Sequence, residues 1–488
     1  MQPRCVCGDH RACWKWPPIG QAHHMGDDAP AVDPRSLIRT RQYRVMLVFA
    51  AAIGLLVSAV SWGYLELVHY IQDWVYKDLP KDLGYTALTP GDLGHSTIPW
   101  WYPLPWLALA GVLTALAITR LPGGGGHVPA DGISASGSPT KPIELPGVVL
   151  AAFATLGLGL VLGPEAPLIA IGMGLGMLAI QLIRREAPDE LLSLMAVTGA
   201  FAAISSLFGS PVVGAVIMIE AAGLGGASLP VILVPGLLAA GVGGLVFTGL
   251  GSWSGLSTSA YALSPIALPA VSKPGWGDVG WTVALALAAA VVTFALVELA
   301  RWTKRVVETR PVLLTTAAAL AVGGLAIAFN EATGQPITAV LFSGQNAFGD
   351  LAKSEATLSL STLALLLLFK GLAWGISLGN FRGGPAFPAL FLGASAGVLA
   401  AHLPGLAETP AVAALMAAGC AAILRLPLSS VVITLVLVSN AGVGVTSLIV
   451  VAAVVAFVAV EALDVLSGRV RTPADAVAPS VQGSLSAR

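Results

Sequence analysis

Long apolar stretches recur along most of the chain, separated by short polar segments. An α-helix needs about 20 mostly apolar residues to cross the hydrocarbon core of a bilayer. Several stretches reach or approach that length, so the pattern predicts an all-α integral membrane protein with many spans. The stretches are Val45–Trp62, Trp106–Thr119, Val148–Leu162, Leu229–Leu250, Val283–Leu299, Val312–Phe329, Leu358–Phe369 with its continuation, and Leu448–Leu466.

Glycine and proline interrupt these stretches repeatedly. The chain holds 56 Gly and 33 Pro, and both residue types break helices. Broken or re-entrant helices are tolerated at membrane depth only where they are buried in protein or line a hydrated cavity. The pattern therefore indicates a transporter or a pore rather than a simple membrane anchor.

The composition agrees with a bilayer as the main surrounding of the chain. Only 10% of the residues are charged and 56% are hydrophobic, whereas about a quarter of a soluble domain is charged. The net charge of −1 gives no indication of a nucleic-acid partner. We predict no cofactor and no metal, since Cys5, Cys7 and Cys13 lie near His10 at a spacing that matches no standard zinc site.

Basic residues cluster at a few places along the chain. Four arginines between Arg35 and Arg44 precede the first apolar stretch, and further clusters lie at Arg184–Arg185, Arg301–Arg310 and Arg469–Arg471. Cytoplasmic segments of membrane proteins carry an excess of Lys and Arg. We therefore expect a multi-pass protein of the cell membrane with both termini in the cytoplasm.

The chain divides into four segments. We predict a disordered polar leader (1–43), a first membrane repeat (44–250), a second membrane repeat (277–467) and a short disordered cytoplasmic tail (468–488). The residues before Met25 are either part of this disordered leader or precede the true start of the protein at Met25.

The two repeats rest on matching proline segments. Two copies of a Gly-Pro-x-x-Pro segment, Gly163–Pro167 and Gly384–Pro388, are each followed by two glycines at identical spacing. A second pair, Ser210–Val213 and Leu426–Ser429, follows at nearly the same offset. Interrupted segments at corresponding positions of two halves point to a binding site near the bilayer midplane. We predict two inverted-topology repeats with broken and re-entrant helices.

The first copy has the properties of an anion gate. Pro167 suits the first turn of a helix, and the N–H groups and positive dipole end of that helix attract anions. Glu165 stands at this helix start between apolar segments, and an intramembrane carboxylate is by default a functional candidate. When ionised it would compete with a permeant anion, and when protonated it would withdraw. The alternative is a carboxylate that only caps its own helix.

These motifs resemble those of the CLC chloride channels and proton/chloride antiporters. Gly163–Pro167 is similar to that family's Gly-Lys/Arg-Glu-Gly-Pro, Gly384–Pro388 to its Gly-x-Phe-x-Pro, and Gly125–Pro129 to its Gly-Ser-Gly-Ile-Pro. The resemblance implies a CLC-like fold, a homodimer with one chloride pathway per subunit, and Glu165 as the external gate. It implies that the anion is bound by Gly125, Gly126, His127, Gly163, Pro164, Ala166, Gly384, Ala386 and Phe387.

The chain also departs from the family pattern. Pro164 replaces the basic residue beside the glutamate, Ala386 takes the place of the Phe, and Gly126 takes the place of an anion-coordinating Ser. The family's C-terminal pore tyrosine has no counterpart, because no Tyr follows Tyr261. Fluoride, bromide and nitrate are therefore candidates for the permeant anion beside chloride.

Proton coupling depends on a second glutamate in the family's antiporters. The aligned position here is Ala221, and its neighbour Glu220 is either a proton relay or a cytoplasm-facing carboxylate at a helix end. Lys370 either holds a positive potential near the pathway or extends its ammonium to an interface. We predict a voltage- or pH-gated type of small-anion channel or transporter with weak or absent proton coupling. The alternative is a proton-coupled chloride or fluoride antiporter.

Two other functional classes, a hydrolase and a solute carrier, are alternatives to an anion pathway. Gly393–Gly397 matches the Gly-x-Ser-x-Gly of hydrolases, but that motif needs a strand–turn–helix elbow, and here it lies in an apolar helix, where small residues make packing contacts. We therefore predict no enzyme. A carrier of another small solute would share the broken helices but would be expected to carry more acidic groups midway along its spans.

Overall fold

The computed structural model describes residues 38–132, 139–225, 229–254, 266–347 and 359–469. The predicted leader up to residue 37 and the predicted tail from residue 470 lie outside these residues. Within them the main helices are α1 (Arg41–Asp73), α2 (Pro103–Arg120), α3 (Leu145–Gly157), α4 (Glu165–Ile183), α5 (Asp189–Phe208), α6 (Pro211–Ala221), α7 (Leu229–Ser254), α8 (Trp276–Val307), α9 (Pro311–Thr333), α10 (Leu360–Asn380), α11 (Ala386–Ala400), α12 (Glu408–Leu424), α13 (Pro427–Leu437) and α14 (Thr446–Leu466).

Short turns extend or join these helices. α1 continues through a π-helical turn, Trp74–Asp78, into a last turn, Leu79–Asp82. Single 3₁₀ turns occupy Pro122–Gly125, Pro129–Asp131, Pro142–Glu144, Ile337–Ala339, Gln345–Ala347, Ser439–Ala441 and Val443–Val445.

Nine helices in the described part of the chain are long and apolar enough to cross a membrane. α3, α6, α11, α12 and α13 are apolar but shorter than the ~20 residues of a span. This mixture of complete and partial spans confirms the predicted all-α membrane fold with broken helices.

Two central helices, α5 and α12, are among those that do not correspond to a long apolar stretch identified in the sequence. α5 and α12 contain Ser, Thr, Gly and many Ala in place of a continuous run of large apolar residues. They are nevertheless largely buried between other helices. Small side chains allow close helix contacts, which is how these two helices pack against their neighbours.

The predicted stretch Val148–Leu162 is only partly helical. α3 ends at Gly157, and Gly159 has a φ of +108°, which favours glycine. The hydroxyl of Tyr76 donates to the carbonyl of Leu158 at 2.8 Å, so the carbonyl freed by the helix end has a partner. The remaining apolar residues, up to Leu162, lie outside any helix and lead into Gly163.

The two halves of the molecule repeat the same arrangement with opposite direction. α4 packs on α5, and α11 packs on α12 in the same way. Gly163 and Gly384 pair as an isolated antiparallel bridge, with N–H to carbonyl distances of 2.7 Å from Gly163 and 2.5 Å from Gly384. Because corresponding residues of the two halves exchange these bonds, a local two-fold axis lies between them, as inverted repeats require.

The glycines that follow each proline segment pack the central helices together. A Cβ at Gly172 or Gly176 would overlap the backbone of α5, and one at Gly393 or Gly397 would overlap the backbone of α12. Ser395, between the second two, is buried and donates its hydroxyl to the carbonyl of Phe391 at 2.9 Å. The Gly-x-Ser-x-Gly sequence is therefore a helix-packing segment here.

Candidate anion site

Two helix ends face each other where the repeats meet. α4 begins directly after Pro164 and α11 directly after Pro385. The first helical hydrogen bonds run from Leu168 to the Pro164 carbonyl and from Ala389 to the Pro385 carbonyl, at 3.1 and 3.3 Å. The amides before Leu168 and Ala389 therefore lie outside the helical ladders, and the Gly163–Gly384 bridge holds the two ends together.

The carboxylate of Glu165 lies at this junction. Its side chain is fully buried, with 0% exposure, and its Oε1 accepts a hydrogen bond of 2.8 Å from the backbone N–H of Phe387 on the opposite helix. The amides of Ala386 and of Glu165 itself add electrostatic interactions. No described residue donates a hydrogen bond of good geometry to Oε2. One anionic group thus bridges the starts of two helices from different repeats.

Glycine is needed on both sides of this carboxylate. A Cβ at Gly163 or at Gly384 would overlap the carboxylate oxygens of Glu165. Both glycines are buried and already form the bridge, so the backbone has little room to move. The glycine at the start of each proline segment therefore makes space for the acidic group.

An aromatic pair closes one side of the junction. The ring of Phe387 stacks on that of Phe208, with centroids 5.7 Å apart and planes inclined by 9°. Phe208 is the last residue of α5, and both rings are buried. No motif or repeat in the sequence marks Phe208 as part of this junction.

A small cavity adjoins Pro164. Its volume is about 40 Å³, enough for water or a small anion. The apolar part of its wall includes Leu162 and Phe342, and polar groups come from His69, Gln72 and Ser343. The cavity therefore reaches the residue beside Glu165 from the end of α1.

Lys370 on α10 is fully buried, with 0% exposure. Its Nζ donates to the carbonyls of Ala339, Val340 and Leu341 at 2.9, 3.2 and 2.9 Å and lies 4.8 Å from the centroid of the Phe391 ring. The hypothesis that this ammonium extends to an interface is wrong, because backbone carbonyls within the protein satisfy it. Lys370 instead fixes the segment that leads to the cavity wall at Phe342.

We expect Lys370→Met to lower the free energy of unfolding by on the order of 3 kcal/mol, because it leaves three buried carbonyls without their donor. The measurement is thermal unfolding of the purified protein in detergent. The exposed Lys81 offers a control, Lys81→Met, for which we expect no change. Equal melting temperatures for Lys370→Met and the parent protein would contradict this role.

The glycine loop Gly125–Pro129 is positioned by Arg382, which stands just before the second proline segment. The Arg382 guanidinium donates to the Gly124 carbonyl at 3.3 and 3.4 Å. His127 forms a 2.6 Å hydrogen bond through Nε2 with the carbonyl of Gly132 within the same loop. Gly125 and Gly126 have φ values of +74° and +97°. Among the described hydrogen bonds, Arg382 reaches this region at Gly124, next to the loop, and none joins the loop to Glu165.

Glu220 is bound to a helix end of the opposite repeat. Its carboxylate accepts from the backbone N–H groups of Leu428 and Ser429 at 3.0 and 2.6 Å, and from the Ser429 hydroxyl at 2.6 Å. These are the first amides of α13, so Glu220 caps that helix. The sequence placed this carboxylate at a helix end but gave no sign of its partner.

The arrangement of the helices resembles that of known membrane proteins. The structure of a slow cyanobacterial Cl⁻/H⁺ antiporter superposes with a TM-score of 0.66 at 20% identity, covering 86% of this chain and 94% of that one. A CLC-type fluoride/proton antiporter superposes with a TM-score of 0.58 at 17% identity, covering 85% and 95% of the two chains. At these identities the comparison concerns the fold, and it confirms a CLC fold.

Sequence comparisons lead to the same family. A relative from Salmonella choleraesuis (strain SC-B67) that carries the ion-transport name YfeO is 28% identical over 365 residues, which cover 74% of this chain and 81% of the relative. A YfeO protein from Shigella boydii serotype 4 (strain Sb227) is 27% identical over 396 residues. The family described as "Voltage gated chloride channel" matches residues 107–461. The chain therefore belongs to the voltage-gated chloride channel (CLC) family, whose members are anion channels and antiporters.

Proposed function

We propose that this protein conducts small monovalent anions across the cell membrane through the junction of α4 and α11, with Glu165 as the gate. The observation that carries the proposal is the Glu165 carboxylate itself. It is buried and bonded to the Phe387 amide at the meeting point of two helix ends. Such ends bind anions without a full positive charge, which allows an ion to leave as well as to enter.

The gate works by competition for these amides. While the carboxylate is ionised and docked, it occupies the donors that a permeant anion needs. Protonation weakens the bond from Phe387, because a bond to a neutral group is about half as strong as one to an ion. The side chain then leaves, and an anion takes its place. The amides of Glu165, Ala166, Ala386 and Phe387 bind that anion, and Gly163 and Gly384 leave room for it.

The cavity beside Pro164 opens to the outside in this proposal. α1 begins among Arg39, Arg41 and Arg44, which the distribution of basic residues assigns to the cytoplasm. The far end of α1 carries His69 and Gln72, which line the cavity. α4 runs from Glu165 toward the basic pair after Ile183, again toward the cytoplasm. Glu165 is therefore an external gate, and both termini are cytoplasmic.

Lys370 and the glycine loop act on this pathway from either side. Lys370 fixes the cavity wall and adds a positive potential near the entrance. The loop containing Gly125, Gly126 and His127 is linked through Arg382 to the second proline segment and borders the pathway on the cytoplasmic side. We further propose the family's homodimer, with one such pathway in each subunit.

Proton coupling is weak or absent in this proposal. Ala221 occupies the position of the family's second glutamate, and Glu220 is engaged in three hydrogen bonds with α13. The alternative, a proton-coupled chloride or fluoride antiporter, draws support from the antiporters that share the fold. A carrier of another small solute is a second alternative, but the buried carboxylate on backbone amides favours an inorganic anion.

We expect proteoliposomes loaded with potassium chloride to release chloride when valinomycin is added, without a fixed ratio of protons taken up. A chloride electrode and a pH electrode record the two fluxes together, and protein-free liposomes give the background. A fixed ratio that Glu220→Gln abolishes would establish the antiporter alternative with Glu220 as relay. Absence of flux for every halide and for nitrate would overturn the proposed function.

A further inference from the structure

Four prolines bracket the opposed helix ends. Pro164 and Pro167 flank the first two residues of α4, and Pro385 and Pro388 flank the first two residues of α11. The first four N–H groups at a helix start have no acceptor within the helix, and proline has no N–H. Since prolines fill the first and the fourth of these positions on both helices, each end presents two amides instead of four.

The neighbouring glycine amides are not available either. The N–H of Gly163 donates to Gly384, and that of Gly384 donates to Gly163, at 2.7 and 2.5 Å. An anion at the junction is therefore left with four backbone donors from the two helix ends. These donors are the amides of Glu165, Ala166, Ala386 and Phe387.

The buried cations do not supply further donors. Lys370 directs its Nζ at three carbonyls, and Arg382 directs its guanidinium at the carbonyls of Gly124 and Phe381. Gly126 has no hydroxyl. The Glu165 carboxylate demonstrates the result, because its Oε2 is buried and accepts no hydrogen bond of good geometry from the described residues. The carboxylate thus receives one hydrogen bond of good geometry at this junction, the bond from the Phe387 amide to Oε1.

We propose that this donor-poor junction selects weakly hydrated monovalent anions, of the class of nitrate, bromide and thiocyanate, over chloride, with fluoride the least favoured. The inference rests on the proposed function and names its substrate class. Removing an ion from water costs more for a small ion than for a large one. A site with few hydrogen-bond donors compensates little of that dehydration cost. The differences in dehydration cost among the anions therefore set the selectivity order.

The first test uses the unaltered protein in proteoliposomes loaded in turn with nitrate, bromide, thiocyanate, chloride and fluoride. Efflux rates and reversal potentials in mixed-anion gradients give the selectivity order. The expected order runs from the weakly hydrated anions through chloride to fluoride. A preference for chloride or fluoride would overturn the inference while leaving the proposed function intact, whereas absence of flux for all five would refute the function itself.

The second test restores the missing donors. Pro164→Ala and Pro385→Ala each return one N–H to the junction, and we expect each to shift selectivity toward chloride and fluoride by roughly tenfold, the value of one charge-assisted hydrogen bond. Pro311→Ala, at the first position of α9, is the matched control and should leave the order unchanged. Size-exclusion chromatography and thermal unfolding verify that each variant is folded.

A purely structural role of the prolines makes a different prediction. Stiffening of the first helical turn would alter the rates of all five anions by the same factor and leave their order as it was. That outcome in both proline variants would overturn the inference. A shift confined to the strongly hydrated anions, additive in the double variant, would support it.

Discussion

We expect Glu165→Gln to raise anion efflux at neutral pH by about tenfold and to remove its dependence on external pH. The glutamine keeps the size of the side chain but carries no charge, so its bond to the Phe387 amide weakens from roughly 1.5–3 kcal/mol to about 0.5–1.5 kcal/mol. The anion then faces a weaker competitor for the same donors. In the parent protein we expect efflux to rise as external pH falls, because protonation of Glu165 has the same effect as the substitution.

The measurement is chloride or nitrate efflux from proteoliposomes at a series of external pH values. Glu331→Gln is the matched control, since Glu331 lies exposed near the end of α9 and should change neither the rate nor its pH dependence. An unaltered rate and pH profile in Glu165→Gln would show that the gate assignment is wrong. A gain in rate with the pH dependence retained would place the pH-sensitive group elsewhere.

The sequence was most informative where the backbone itself is constrained. Gly163–Pro167 and Gly384–Pro388 share residue types because both must end a segment, form the bridge and start a helix. Their repetition therefore predicted that two helix ends meet. The glycines after them predicted close packing, and the structure places them against α5 and α12. These features depend on local conformation, which residue types such as Gly and Pro determine strongly.

Contacts between distant segments could not be predicted in the same way. The sequence shows that Lys370 and Glu220 are charged and lie in apolar surroundings, but not which carbonyls or amides surround them. Lys370 binds carbonyls about thirty residues away, and Glu220 binds amides in the other repeat. Many partners are chemically equivalent for such groups, so only the packing of the helices selects among them.

The stack of Phe208 on Phe387 is a contact of the same kind. Phe208 ends α5, a helix in which small residues are interspersed with larger apolar ones. In a membrane protein, large apolar residues face lipid and small ones face other helices. Hydropathy alone does not separate the central helices from the outer ones, because α4 and α5 are as apolar as several helices that are less buried.

Gly384→Ala tests the gate without removing the carboxylate, and we expect it to open the pathway. An added Cβ would occupy the space of the Glu165 carboxylate, so the side chain would be displaced from the Phe387 amide. The φ of Gly384 lies outside the left-handed region, so alanine fits the backbone without strain there. Anion efflux should therefore rise by about as much as in Glu165→Gln, roughly tenfold.

The double variant separates displacement of the gate from any general loosening of the junction. Once Glu165→Gln has weakened the competitor, Gly384→Ala has little left to displace. The gain in efflux of the double variant should therefore be much smaller than the sum of the gains of the two single variants. Gly324→Ala in α9, where a Cβ meets nothing within 4 Å, is the control and should leave efflux unchanged. Fully additive effects would mean that the Cβ acts on the pathway independently of Glu165. A closed Gly384→Ala protein that folds normally would mean that the carboxylate is not what blocks the anion.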